Sequence, residues 1–294
     1  MQIEEFFVPK PTSSNPYDPT QLSCLRWWDS DSPRFVLAIV HGLGEHARRY
    51  RHVAEYFVGK GGVVVGIDQQ GHGRTAGPLP HISVLVEDIG RLEQHLRATY
   101  SDLPLFLYGQ SLGGCVVTNY ILQHTNHLAG AIATSPLLRT TFPPPAWKVT
   151  IAKLLGKYWP NLTLSTAIKP KELSRDPEAV AAYINDPEVH QRVSAALGLS
   201  MLEAGEWAIQ NASHLKTPFL LMHGTSDRIT SFDASQEFAK RSNALCRFVP
   251  WQGFFHDMHC EPEQQAVFET ITRFIEQRIN SEFDSASNPL ARQE

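Results

Sequence analysis

Short, unbroken apolar runs alternate along most of this chain with stretches of helical periodicity. Phe35 to Val40, Val63 to Ile67, Leu105 to Tyr108, Gly130 to Thr134 and Phe219 to Met222 carry almost no polar residue. Runs of this kind predict strands buried on both faces of a parallel sheet. Between them lie amphipathic segments. In 47–59, Tyr50, Val53, Ala54 and Phe57 fall at i, i+3, i+4, i+7, the spacing of one helix face. In Ser83 to Thr99 the residues Leu85, Ile89, Leu92 and Leu96 share a face, with Glu87, Arg91 and Glu93 off it. Further helices are expected at Gly114 to Gln123, Phe232 to Arg241 and Pro262 to Ile279, where Pro262 suits a first turn. Ile3 to Val8 and Leu22 to Trp28 read as leading strands around a Pro-rich loop, and Leu245 to Val249 as the last strand. Strands alternating with helices predict an α/β fold with a mainly parallel central sheet and helices on both faces.

The alternation stops after Pro136. From Leu137 to Ser213 no strand is expected, only short amphipathic pieces punctuated by prolines. The expected organisation is therefore a core of residues 1–136 and 214–294, with 137–213 as a helical cap. Composition narrows the partners. A net charge of −4 over 294 residues offers no basic surface for nucleic acid. The four cysteines form no CxxC pair, which suits free thiols in a reducing compartment. With no apolar leader and no run near the ~20 residues of a membrane span, a cytoplasmic protein is expected, at most peripheral at a membrane. Oligomeric state is left open.

Three chemical groups stand at predicted strand ends, where open α/β sheets collect their chemistry. The first is Gly109-Gln110-Ser111-Leu112-Gly113, a G-x-S-x-G pentapeptide between strand and helix. In that context the pattern is a nucleophile elbow, with a strained serine and small flanking residues. The second is Asp227 after Met222-His223-Gly224, and the third is His256 after Gly253-Phe254-Phe255. The order Ser, Asp, His suits a triad: His256 as general base, Asp227 fixing its tautomer, Ser111 as nucleophile. His259 is the rival base. Asp233, six residues past Asp227, is the rival acid, set aside because it falls in the next expected helix; Asp257, beside His256, is expected to point elsewhere on its loop. A fourth element, His41-Gly42-Leu43-Gly44, ends the first buried strand. The backbone N–H groups of Leu43 and Leu112 are the expected oxyanion hole. His41 and His46 lack a second ligand pair and make no zinc set. No metal and no cofactor are expected.

His41 to His46 with Arg49-Tyr50, Asp68 with Gly71-His72-Gly73, the elbow with Gly114, His223 to Arg228 and Phe255-His256 together resemble the monoacylglycerol lipase and lysophospholipase family of α/β-hydrolases. The resemblance runs from about Arg34 to Ile279. It implies the triad Ser111, Asp227 and His256, an oxyanion hole at Leu43 and Leu112, a lid in the inserted segment, and cofactor-free cleavage of single-chain glycerides and lysolipids. One departure is Gln110, where many members carry His or Tyr; this is expected to bear on substrate choice and not on the reaction.

From Leu103 to Lys171 there is no Asp or Glu, while Arg139, Lys148, Lys153, Lys157, Lys169 and Lys171 fall in that stretch. Trp147, Ile151, Leu154 and Tyr158 share one helical face. They are the expected substrate-binding residues of the lid, either packed on the core or set against lipid. The expected function is a serine hydrolase releasing fatty acid from monoacylglycerol or lysophospholipid. The alternatives are a carboxylesterase or thioesterase of small acyl substrates, or a non-catalytic ligand receptor on the same fold.

Overall fold

The computed structural model describes residues 1–11, 18–142, 145, 147, 159, 162–166 and 168–287. The strands of the central sheet are β1 (Gln2–Pro9), β2 (Gln21–Trp28), β3 (Phe35–Val40), β4 (Gly62–Ile67), β5 (Leu105–Gln110), β6 (Gly130–Thr134), β9 (Phe219–Gly224) and β10 (Cys246–Trp251). Their spatial order is β1-β2-β4-β3-β5-β6-β9-β10. From β4 to β10 all neighbours run parallel, while β1 and β2 pair antiparallel with each other and β2 with β4. Every residue of β3, β4, β5, β6 and β9 is buried. That is why their sequences are mostly apolar and do not alternate, with the buried Gln110, Thr134 and His223 as polar exceptions toward the carboxyl ends.

The helices are α1 (Arg51–Val58), α2 (Ile82–Thr99), α3 (Leu112–Gln123), α4 (Pro177–Asn185), α5 (Ala195–Gln210), α6 (Phe232–Arg241) and α7 (Gln264–Ser287). The sheet separates two apolar layers. One gathers Leu85, Ile89, Leu92 and Leu96 of α2 with Val116 and Val117 of α3. The other gathers Val53, Ala54 and Phe57 of α1 with Val267, Phe268, Ile271 and Ile275 of α7. The predicted faces of α1 and α2 are thus the buried ones. The first turn of the segment expected at 47–59 is a 3-10 turn, Ala47–Tyr50, and only then α-helix. Asp68 Oδ1 accepts the Ala47 N–H at 2.7 Å, so a carboxylate from the next strand end anchors that turn. Pro262 lies two residues before α7 rather than in its first turn; the Gln264 N–H bonds the Glu261 carbonyl at 2.9 Å, and the helix starts there.

The segment between β6 and β9 contains a feature that sequence periodicity does not predict. Residues Thr163–Ser165 (β7) and Arg192–Ser194 (β8) form a two-stranded antiparallel ribbon. Three residues are too few for an alternation to register in sequence. After the ribbon, α5 begins at Ser194, whose Oγ accepts the Leu197 N–H at 3.0 Å, a side-chain N-cap. Leu197, Ala208 and Ile209 of α5 join the core layer of α2 and α3. The close approach is made at Gly205, where a Cβ would meet the Leu138 carbonyl oxygen at 2.1 Å. Of the four predicted lid residues only Trp147 is among the described residues, and it is 61% exposed. Ile151, Leu154 and Tyr158 lie outside them.

Candidate active site

Ser111 sits between β5 and α3 with φ 55° and ψ −115°. It is one of two non-glycine residues with positive φ among the described residues, a backbone strain that concentrates at functional sites. The flanking glycines explain how the turn closes. A Cβ on Gly109 would meet the Gly113 carbonyl oxygen at 2.3 Å, and one on Gly113 would meet that of Val40 at 2.0 Å. The serine backbone is fixed on both sides: its N–H bonds the Thr134 carbonyl at 3.1 Å, and its carbonyl accepts the Leu137 N–H at 2.9 Å. The side chain therefore stands up at the N-terminus of α3, where the helix dipole favours negative charge.

The predicted partners meet it. His256 Nε2 lies 2.9 Å from Ser111 Oγ, and His256 Nδ1 lies 2.8 Å from Asp227 Oδ2. Asp227 is held in turn. Its Oδ1 accepts the N–H groups of Ile229 at 2.7 Å and Thr230 at 3.0 Å, and its Oδ2 accepts the Thr230 hydroxyl at 2.8 Å. His223 Nε2 stands 3.1 Å from the same oxygen. Burial alone would raise the Asp227 carboxyl, but the His256 charge and the bonds from His223 and His256 pull it far below the usual range. For His256 the balance is the opposite. Burial lowers the imidazole, and the charge and hydrogen bond of Asp227 outweigh it, with a pKa raised to about 9.

The rivals stand elsewhere. His259 is fully buried, stacked on Tyr50 with ring centroids 4.6 Å apart, and burial pushes its imidazole down to about 3. Asp233 lies in the first turn of α6. Asp257 Oδ1 accepts from Gln110 Nε2 at 3.3 Å, and burial followed by the Glu45 charge raises its carboxyl to about 7.

The loop after β3 reaches the elbow. An ideal Cβ on Gly42 would lie 3.4 Å from Ser111 Cβ, so residues 42–43 pass directly beside the serine. The Gly42 N–H is taken by Glu45 Oε2 at 3.1 Å. Among the described residues the N–H groups of Leu43 and Leu112 are bonded to nothing. Two open donors beside a serine that heads a helix are the arrangement that binds an oxyanion.

Residues that sequence reading passed over do much of the positioning. Glu45 is buried and also accepts the Tyr50 hydroxyl at 2.9 Å and Arg49 Nε at 3.1 Å. Burial would raise its carboxyl, but Arg49 first among the neighbouring charges draws it down to about 2. The i, i+4 and i, i+5 spacing from Glu45 to Arg49 and Tyr50 is the signal that could have found it. Thr230, three residues after Asp227, was equally visible as a partner for an Asx-type turn. Gln110 is held through both atoms of its amide. It is fully buried; its Nε2 donates to the His256 carbonyl at 2.9 Å, and its Oε1 accepts from Thr134 Oγ1. Through these bonds it ties the nucleophile strand to the loop of His256.

Residues 186–190 also reach the loop after β3. The His190 N–H bonds the Gly44 carbonyl at 2.9 Å, and Asp186 Oδ2 lies 3.0 Å from His46 Nε2.

The sequence profile described as Serine aminopeptidase, S33 matches residues 31–263. An uncharacterized abhydrolase domain-containing protein of Dictyostelium discoideum is 34% identical over 93% of this chain, and the chain spans only 30% of that relative's length. The monoacylglycerol lipase of Mycolicibacterium smegmatis is 32% identical over 85% of this chain and 90% of its own. The crystal structure of Paleococcus ferrophilus monoacylglycerol lipase superposes with a TM-score of 0.79 at 31% identity, covering 88% of this chain and 98% of that one.

Proposed function

We propose that this chain, which belongs to the serine aminopeptidase S33 family, is a serine hydrolase that cleaves carboxylic esters of single-chain lipids and releases the fatty acid. The observation that carries this reading is the hydrogen-bonded line from Ser111 Oγ through His256 to Asp227, beside two open N–H donors. The likeness to monoacylglycerol lipases supports the choice of substrate.

The geometry sets the order of events. Ser111 Oγ attacks the ester carbonyl carbon while its proton passes to His256 Nε2. Negative charge collects on the carbonyl oxygen, facing the N–H groups of Leu43 and Leu112; donors so placed are typically worth roughly 3–4 kcal/mol each. Asp227 stabilises the imidazolium through Nδ1. The intermediate collapses, His256 returns the proton to the leaving alcohol, and an acyl-enzyme on Ser111 remains. Water, deprotonated by His256, then attacks the acyl carbonyl. Fatty acid leaves and Ser111 regains its proton.

Residues 137–213 act as the cap over this site in our reading, and we assign lipid contact to its basic first half. Phe142, Trp147, Trp159, Leu162 and Leu164 are exposed apolar side chains of that segment. Lipid contact by such a surface scales with apolar area and attraction to anionic headgroups. No helix among the described residues is long and apolar enough to cross a membrane.

The test is a fluorophosphonate probe followed by a substrate panel. Labelling of the wild type that is lost in Ser111→Ala supports the nucleophile, and no labelling favours a ligand receptor. On the panel, long-chain monoacylglycerols and lysophosphatidylcholine should outpace short p-nitrophenyl esters and acyl-thioesters. The reverse ranking would replace the lipase reading with that of a small-ester carboxylesterase or thioesterase.

A further inference from the structure

Three residues past His256 the chain carries donor groups that the triad does not use. His259 is fully buried, and among the described residues neither of its ring nitrogens has a hydrogen-bond partner. Unpaired buried polar atoms are costly and rarely kept without a reason. Cys260 is the next residue. Across from them on α1 stands His52, whose Nε2–H donates to the His259 carbonyl at 2.9 Å, with the two rings 5.5 Å apart and their planes within 15°. One donor atom from each of His52, His259 and Cys260 lies within 4.8 Å of the others. A cavity of about 380 Å³ opens onto His52 and Cys260, and Asp176, Glu178 and Gln264 are also on its wall.

We propose that His52, His259 and Cys260 bind one divalent cation of the zinc class. Two imidazoles and a thiolate are a soft donor set that suits zinc and disfavours magnesium or calcium. Around a tetrahedral ion with bonds of about 2.0–2.3 Å, donor atoms sit roughly 3.5 Å apart. The three need to close by no more than about 1.3 Å; His52 and Cys260, which line the cavity, have the room to make that rotamer-scale move toward the buried His259. Asp176, Glu178 or water from the cavity completes the fourth position. Arg49 also lines the cavity, but its charge is already met by Glu45 at 3.1 Å and Asp186 at 3.8 Å. Burial first, then the charges of Asp257 and Glu45, push the Cys260 thiol up, and Arg49 acts against them. On binding, the Cys260 thiol gives its proton to solvent and its sulfur pair to the metal. The ion then links α1 to the turn that follows His256. The expectation that the chain has no metal set looked only at His41 and His46; the donors here are brought together by the fold, from positions about 200 residues apart.

The first experiment needs only the wild-type protein. Cys260 and Cys246 are the partly exposed cysteines, while Cys24 and Cys115 are buried. Zn²⁺ should protect Cys260, and not Cys246, from a thiol reagent, as mapped by peptide mass; Mg²⁺ should protect neither. Co²⁺ should give a near-ultraviolet thiolate-to-metal band that Cys260→Ser abolishes. His52→Ala and Cys260→Ser should each weaken Zn²⁺ binding at least tenfold by calorimetry, while Ser111→Ala leaves it unchanged and separates this site from the esterase site. Equal reactivity of Cys260 with and without Zn²⁺, or Co²⁺ binding without a thiolate band, overturns the proposal. If a variant folds poorly, the wild-type labelling decides.

Discussion

At Ser111, the strain and the chemistry share one cause. The φ of 55° that lifts its hydroxyl clear is tolerated because Gly109 and Gly113 leave no Cβ against neighbouring carbonyls. Gly113→Ala would put a methyl group 2.0 Å from the Val40 oxygen. It should cost about 1–3 kcal/mol and misplace the elbow, read as a lowered Tm together with a lost fluorophosphonate signal. Asp227→Asn should keep the fold and lower kcat roughly 10³–10⁴-fold, because the wrong imidazole tautomer is favoured. The pH profile follows from His256. In the proposed mechanism it accepts the serine proton only when neutral, and its pKa is raised to about 9 by Asp227, with Asp257 and Glu45 adding in the same sense. The free enzyme's kcat/KM should therefore climb with pH from neutrality and level off above about 9. A variant without the Asp227 charge should level off at lower pH. A wild-type profile already flat from about pH 6 would show that Asp227 does not raise His256.

At the level of elements, sequence and structure agree where one physical pattern dominates. The buried strands were legible because a strand covered on both faces must be mostly apolar. The faces of α1 and α2 were legible because a single repeated spacing sets them. Chemistry at the ends of β5, β9 and β10 was legible because strand ends define where loops meet. The ribbon β7–β8 was not, since its pairing joins three-residue pieces 27 to 31 positions apart, Ser165 to Arg192 at the narrowest and Thr163 to Ser194 at the widest. The network around Glu45 was passed over, since its spacing to Arg49 and Tyr50 gains meaning once the 3-10 turn Ala47–Tyr50 brings both back on it. Helix α5 offers a test at this scale. Gly205→Ala would press a methyl group into the Leu138 carbonyl at 2.1 Å. We expect a stability loss of about 1–3 kcal/mol, visible in thermal melting, with the pH profile of the surviving activity unchanged because the triad stands on other elements.

Across the whole molecule, the charge is divided. Leu103 to Lys171 holds no carboxylate, whereas the acidic residues of 172–206 follow it directly. Net charge of −4 makes indiscriminate attraction to anionic membranes unfavourable, so any docking must be oriented by the basic stretch. Charge reversal at Lys148, Lys153 and Lys157 should release the protein from anionic vesicles and leave neutral vesicles unaffected; unchanged sedimentation would remove the docking reading. The contact between Gly44 and His190 has a practical corollary for anyone exchanging the proposed cap, residues 137–213, among relatives. Any side chain at position 44 would run into the His190 oxygen at 2.0 Å, and that same turn bonds the Gly44 carbonyl. A transplanted cap thus inherits a seat cut for a different turn. Chimeras that move residues 41–46 together with 186–190 should retain turnover, and those that move the cap alone should lose it while still folding.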